Sequence, residues 1–224
     1  MTKDGPYHVE GGVPLSRQVI EPDEDGASWE WREGEPFEVR TTYRLCRCGG
    51  SSNKPFCDAT HERNGFDGTE TADRTPYLER AEVYEGPDID LTDVRPLCAF
   101  ARFCDAKGGT WDLVEEGGPE ATALAEREAG HCPSGRLITW SRPVEGRAEP
   151  VGEPEFEPSI GVVQDPAKGV SGPLWVRGRI PVESEDSTTY EVRNRMALCR
   201  CGASRNKPFC DGTHAAIGFT DGET

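Results

Sequence analysis

The sequence predicts an α+β fold that is mostly β, made of two copies of one unit with a smaller α+β segment between them. Three observations carry this. The first is a repeat. Residues 43–61, YRLCRCGGSSNKPFCDATH, and 196–214, MALCRCGASRNKPFCDGTH, agree at fourteen of nineteen positions. The second is composition. With 26 glycines, 18 prolines and 34% hydrophobic residues in 224, short strands and turns are favoured over long helices. The third is pattern. Four short β-rich runs flank the repeated string, two per copy: YHVEGGVPL (7–15), PFEVRTTYRL (36–45), LWVRGRIPV (174–182) and TYEVRNRMAL (189–198).

The copies extend beyond the string. PYHVEGGVPL (6–15) matches PLWVRGRIPV (173–182) at Pro6/Pro173, Val9/Val176, Gly11/Gly178 and Pro14/Pro181. Glu38, Val39 and Arg40 match Glu191, Val192 and Arg193, and Gly65-Phe66 matches Gly218-Phe219. The offset is 167 residues at the first match and 153 at the cysteines, so the first copy carries about fourteen extra residues. The acidic stretch EPDEDGASWEWREGE (21–35) is expected to hold them as a solvated loop. The organisation expected is a first repeat over 1–70, a middle segment over 71–140, a linker over 141–172 and a second repeat over 173–224. The linker assignment rests on a run rich in Pro, Gly and Glu with no helical period.

Within each repeat, three cysteines and one histidine recur at one spacing: Cys46, Cys48, Cys57 and His61, then Cys199, Cys201, Cys210 and His214. These are ligands of the kind soft metal sites use. They take six of the nine cysteines and two of the four histidines. Zinc sites more often pair ligands as C-x2-C and H-x3-H knuckles, whereas here the first pair is C-x-C. Asp58 and Asp211 sit where an N-cap belongs, before short helical turns that stop at Gly65 and Gly218. Cys57 and Cys210 would then lie at helix N-termini, where the dipole favours thiolate. Pro55 and Pro208 stiffen the loop. Lys54 and Lys207 are either positive charge beside an anionic centre or solvated loop charges.

The string with Pro55, Phe56, Cys57 and Asp58, and with Pro208 to His214, resembles the CDGSH iron–sulfur (NEET) family, in a tandem, two-motif member of the bacterial type. That family's pattern is C-x-C-x2-[ST]-x3-P-x-C-D-G-[SAT]-H. The second copy fits throughout, with Ser204, Pro208 and Thr213 on the pattern. The first has Ser51 and Pro55 in place, but Ala59 replaces the glycine, and alanine tolerates positive φ poorly. The resemblance covers about 110 residues. It implies two [2Fe–2S] clusters, each held by three cysteines and one histidine, with Asp58, Asp211, Lys54 and Lys207 around them. A structural zinc is the alternative. It also implies a small β cap over each cluster-binding loop. Single-motif members pair as dimers, so two motifs in one chain are expected to pair internally as a pseudo-dimer, leaving the protein a monomer.

The middle segment differs. Its one strongly helical stretch is Glu120 to Ala129, and its cysteines are Cys98, Cys104 and Cys132, the last followed by Pro133. The ferredoxin run is C-x2-C-x2-C with a distant Cys-Pro. With Ala101 at the central position, C-x5-C…C-P resembles divergent mono-cluster ferredoxin-like domains over about 50 residues. Three cysteines suit a [3Fe–4S] cluster. A [4Fe–4S] cluster would need an outside ligand, and the third alternative is a segment that kept the fold and lost the cluster. His131 is expected to point away from Cys132, His8 to be packing or surface, and Trp111 and Trp140 to be core.

No nucleophile–base pair, phosphate loop or substrate-pocket signature appears, so the chain is not expected to be an enzyme itself. The net charge of −16 argues against nucleic acid or anionic membrane as partner. MTKDGPYHVEGG has no apolar signal-peptide core, and no stretch approaches the roughly 20 apolar residues of a membrane span. A cytoplasmic protein with metal-bound thiolates is expected. Electron transfer to a redox partner is the leading expectation. The alternatives are a carrier that donates [2Fe–2S] units to apo-proteins and a redox component of an enzyme complex.

Overall fold

The computed structural model describes residues 1–142 and 148–222. The first repeat contributes β1 (Tyr7–Val9), β2 (Leu15–Pro22), β3 (Ser28–Pro36) and β4 (Tyr43–Leu45). The middle segment contributes α1 (Tyr77–Arg80), β5 (Glu82–Glu85), β6 (Ile89–Asp93), α2 (Thr110–Glu116), α3 (Gly118–His131), β7 (Leu137–Ser141) and β8 (Pro150–Val151). The chain then forms β9 (Ser159–Asp165), β10 (Val170–Arg177), β11 (Arg195–Leu198) and α4 (Thr213–Ala216). The fold is α+β with strands predominating.

The duplication in sequence is a duplication in register. β1 pairs antiparallel with β4, Tyr7 opposite Leu45 and Val9 opposite Tyr43. β10 pairs antiparallel with β11, Leu174 opposite Leu198 and Val176 opposite Met196. These four pairs are equivalent under the offsets that relate the repeats. The pairs from both repeats share one hydrophobic core, in which Tyr7 and Leu45 meet Leu174, Val176, Met196, Leu198 and Phe209. The Tyr7 hydroxyl reaches across to donate to the carbonyl of Cys199 at 2.7 Å. The repeats therefore pair within the chain.

Two expectations are corrected. The acidic stretch 21–35 is not a solvated loop. Most of it is the end of β2 and all but the tip of β3, in a hairpin whose turn is held by Asp23 accepting from the backbone N–H of Asp25 and Ala27. Glu30, Glu33 and Glu35 of the edge strand β3 are exposed, while Leu15, Val19 and Ile20 of β2 are buried. The segment 141–172 is not merely a linker either. It holds β8, β9 and the start of β10, and β9 is buried along nearly its whole length. β9 lies between β10, antiparallel, and β2, parallel, in a five-stranded sheet ordered β11-β10-β9-β2-β3. A strand covered on both faces reads as a continuous apolar run, which is why SIGVVQD lacks alternation. The parallel β2–β9 pair joins the first repeat's insert to the second repeat's cap.

The middle segment packs α2 and α3 on the sheet β5-β6-β7-β8. α3 begins with Pro119 in its first turn and buries Ala121, Ala125, Glu128 and Ala129, one helical stripe. It ends at Cys132, because Pro133 disfavours helical backbone in the residue before it. Among the described residues no helix is long and apolar enough to cross a membrane.

Candidate metal centres

None of the nine cysteines is in a disulfide. In the first repeat Cys46 Sγ and Cys48 Sγ are 3.8 Å apart, and Cys57 Sγ and His61 Nδ1 are 3.5 Å apart. In the second repeat the matching distances are 3.6 Å for Cys199 and Cys201 and 3.4 Å for Cys210 and His214 Nδ1. Two sulfurs on one tetrahedral metal at about 2.3 Å lie about 3.8 Å apart. Each pair therefore has the spread of two ligands on one metal. Yet no three His, Cys, Asp or Glu side chains close around a single ion among the described residues. The close contacts in each set are thus Cys with Cys and Cys with His. The backbone N–H groups of Gly50, Ala59 and Gly212 each approach a ligand sulfur at 3.4 Å, a donor set that favours anionic sulfur.

The loops are braced identically. Ser51 and Ser204 hydroxyls donate to the carbonyls of Phe56 and Phe209 at 2.7 Å. Lys54 and Lys207 ammoniums donate to the carbonyls of Ser51 and Ser204, at 2.5 and 2.7 Å. These lysines thus staple their own loops. Asp58 and Asp211 lie one residue before the N-cap positions, which Ala59 and Gly212 occupy with φ of 65° and 82°. Each carboxylate accepts from the first helical N–H, Thr60 or Thr213, at 3.0 Å, and from the loop N–H of Ser52 or Arg205 at 2.9 Å. These bonds, Thr60 first and Ser52 next, hold Asp58 well below the ordinary carboxylate value. The turns are one helical turn long, so individual N–H groups, not a helix dipole, stabilise Cys57 and Cys210.

The two loops meet. A β-bridge pairs Cys48 with Cys201, and a Cβ on Gly49 or Gly202 would stand 2.4 or 2.5 Å from the opposite loop's carbonyl oxygen. They differ in cover. Cys210 and His214 are buried at 3% and 4% exposure, whereas Cys57 and His61 are only partly buried. The cause is the middle segment. Ala99 packs on Cys210, and Gly212 lies against Phe100 and the Cys98 carbonyl. Burial, with Arg200 next, pulls His214 down to about 4.

In the middle segment, Cys98 and Cys132 are both electrostatic neighbours of Cys104. Burial pushes the Cys104 thiol far above its ordinary value, and its neighbours Cys132 and Cys98 push it further. Ala101, at the position of the missing cysteine, is an apolar residue buried with Phe103, Val163 and Trp175. His131 turns away, as expected, with Nδ1 2.8 Å from the Arg127 carbonyl oxygen. The Trp140 indole donates to Thr92 Oγ1 at 2.8 Å, and Trp111 packs on the segment's core.

Two segments match a family model described as iron-binding zinc finger, CDGSH type, over residues 4–62 and 171–215. The chain carries two domains of the CDGSH type. Between its two CDGSH domains, residues 84–142 match a model described as a divergent 4Fe–4S mono-cluster domain. This tandem CDGSH protein is therefore an iron–sulfur protein. No curated protein and no solved structure matched the chain.

Buried arginines were missed in the sequence reading. Arg47 and Arg200, between the first two ligands of each CDGSH domain, are 2% exposed. Arg200 donates to the carbonyls of Gly172 and Val163 and pairs with Asp221. Arg47 donates to those of Thr2 and Gly68. Arg195 of β11 donates to the carbonyls of Ala129, Gly130 and Cys132, and Arg193 to those of Ser134 and Gly135. The second repeat thus holds the loop that carries Cys132. The repetition of C-R-C pointed to Arg47 and Arg200. Nothing local marked Arg195.

Proposed function

We propose that this tandem CDGSH protein is an electron carrier. It holds one [2Fe–2S] cluster at Cys46, Cys48, Cys57 and His61, a second at Cys199, Cys201, Cys210 and His214, and a [3Fe–4S] cluster at Cys98, Cys104 and Cys132. The carrying observation is the division of each CDGSH ligand set into two pairs of 3.4–3.8 Å separation, which suits a binuclear centre. Iron–sulfur clusters supply one-electron chemistry whose potential depends on charge, hydrogen bonds to sulfur and exposure. The chain's own residues set those terms. N–H groups point at Cys48, Cys57 and Cys210, and burial at the second site separates its environment from that of the first. Three cysteines at the middle site match the three irons of a [3Fe–4S] cluster.

A second reading is a carrier that gives [2Fe–2S] units to apo-proteins, and the partly exposed Cys57 and His61 favour it for the first site. In either role the chain has no catalytic group of its own and acts on a redox partner or an acceptor. One pair of experiments separates the readings. Anaerobically purified protein that titrates reversibly without losing visible absorbance supports the electron carrier. Rapid appearance of the cluster spectrum on an apo-ferredoxin supports the donor.

A further inference from the structure

The central sheet and α3 do not close fully on each other. A cleft of about 560 Å³ remains between them, a size typical of small-molecule sites. Its walls are aromatic: Trp31 of β3, Trp175 of β10, and Phe156 in the segment before β9. Trp31 and Trp175 have centroids 4.6 Å apart, and Phe156 meets Trp175 edge-on at 5.4 Å. The Trp31 indole is fixed by donation to the His131 carbonyl at 3.0 Å. The rim is fixed too, because a Cβ on Gly130 of α3 would stand 2.8 Å from the Gly152 carbonyl oxygen.

Among the described residues, two N–H groups on side chains lining this cleft lack a hydrogen-bond acceptor, although Glu33 acts on the Arg177 charge. Trp175 is 2% exposed, and its indole Nε1 has no hydrogen-bond acceptor. Arg177 also has a buried Nε without an acceptor, and its guanidinium rests over the Trp175 and Phe156 rings at 4.8 and 5.7 Å. The buried Arg195 and Arg200, by contrast, are surrounded by carbonyls and a carboxylate. A buried N–H left unpaired is costly, so an acceptor brought by a ligand would be favoured here. Glu33 and Glu126 line the same cleft. Arg127 lines it as well, so with Arg177 the cleft holds two arginines against two carboxylates.

We propose that this cleft binds a planar aromatic carboxylate, its ring packed against Trp31 and Phe156 and its oxygens accepting from Arg177 and the Trp175 indole N–H. The cleft contains none of the cysteine ligands, so the inference stands apart from the cluster assignment.

Isothermal titration calorimetry of the full-length protein as purified, with 2-naphthoate, tests it. Saturable 1:1 binding is expected. 2-Naphthamide, the same shape without charge, and cyclohexanecarboxylate, charged but not planar, should each bind at least about tenfold more weakly. Arg177→Gln should weaken naphthoate at least about tenfold and leave naphthamide unchanged. That difference stays readable even if the variant is less stable. Phe156→Leu should weaken both naphthyl ligands alike. No saturable heat at millimolar naphthoate, equal affinity for naphthoate and naphthamide, or an Arg177→Gln effect shared by both ligands would each overturn the proposal.

Discussion

At the scale of single residues, Ala59 and Gly212 occupy equivalent left-handed positions with different surroundings. Ala59 is exposed, so its methyl group meets only the intrinsic cost of that conformation, about 1 kcal/mol. A Cβ on Gly212 would also press on Phe100 Cβ at 3.2 Å. Ala59→Gly is expected to stabilise the protein by up to about 1 kcal/mol, and Gly212→Ala to destabilise it by about 1–3 kcal/mol, read from denaturant midpoints. The histidines differ in the same way. His214 is held down to about 4 by its burial, so its ring stays neutral to lower pH than an ordinary histidine. In the metal-free chain the unfolded state then binds more protons than the folded one between about 4 and 6.5. His214 therefore lowers stability as pH falls through that window. With clusters bound, visible absorbance is expected to fall in two stages on acidification. The less buried first site should go first and the second only at lower pH. His61→Cys should abolish the first stage and His214→Cys the second, followed by stopped-flow absorbance. Loss in one stage, indifferent to both changes, would show that imidazole protonation is not the release step.

At the scale of elements, contacts between loops and strands of different repeats decide the architecture. Gly49 and Gly202 have φ of 72° and 81° and let the two CDGSH loops touch through backbone alone. Gly202→Ala should cost about 2–4 kcal/mol, combining overpacking with left-handed strain. It should also reduce visible absorbance from both CDGSH sites, since the clash falls on the Cys48 carbonyl. β11 carries a second device. Arg195 pairs with Glu153 and holds the carbonyls beside Cys132. Arg195→Met strands Glu153 and frees that loop, at a cost of about 3–5 kcal/mol. Its expected signature is loss of the oxidised EPR signal of the middle site, while the [2Fe–2S] absorbance persists. Parallel loss of both would mean that β11 itself had failed.

At the scale of the whole molecule, one chain does what would otherwise take two. The repeats share a core, and the β2–β9 pair locks the first to the second. The protein is expected to run as a monomer of 24.6 kDa in light scattering. Its iron content should be about seven per chain, about four from the CDGSH domains and about three from the middle site, with an oxidised S = 1/2 EPR signal. Stoichiometric zinc without acid-labile sulfide would overturn the cluster assignment. About four irons without that signal would remove the middle cluster alone.

Cys46, Cys48, Cys57, His61 and their counterparts were legible in sequence because ligand type and spacing are covalent properties of a short loop. So were the strand character of β1, β4, β10 and β11, and α3, whose apolar stripe and Cys-Pro stop are local. The acidic hairpin β2–β3 and the buried β9 were not, because a strand's burial depends on which distant edge it meets. EPDEDGASWEWREGE looks solvated until β9 supplies a neighbour for β2. The inequality of two nearly identical metal loops was equally hidden. Only the packing of Ala99 and Phe100 on Cys210 and Gly212 buries one site and leaves the other near solvent. Sequence determined what can bind at each loop. Tertiary structure decided how much water and charge each site meets, because those depend on what lies on top of it.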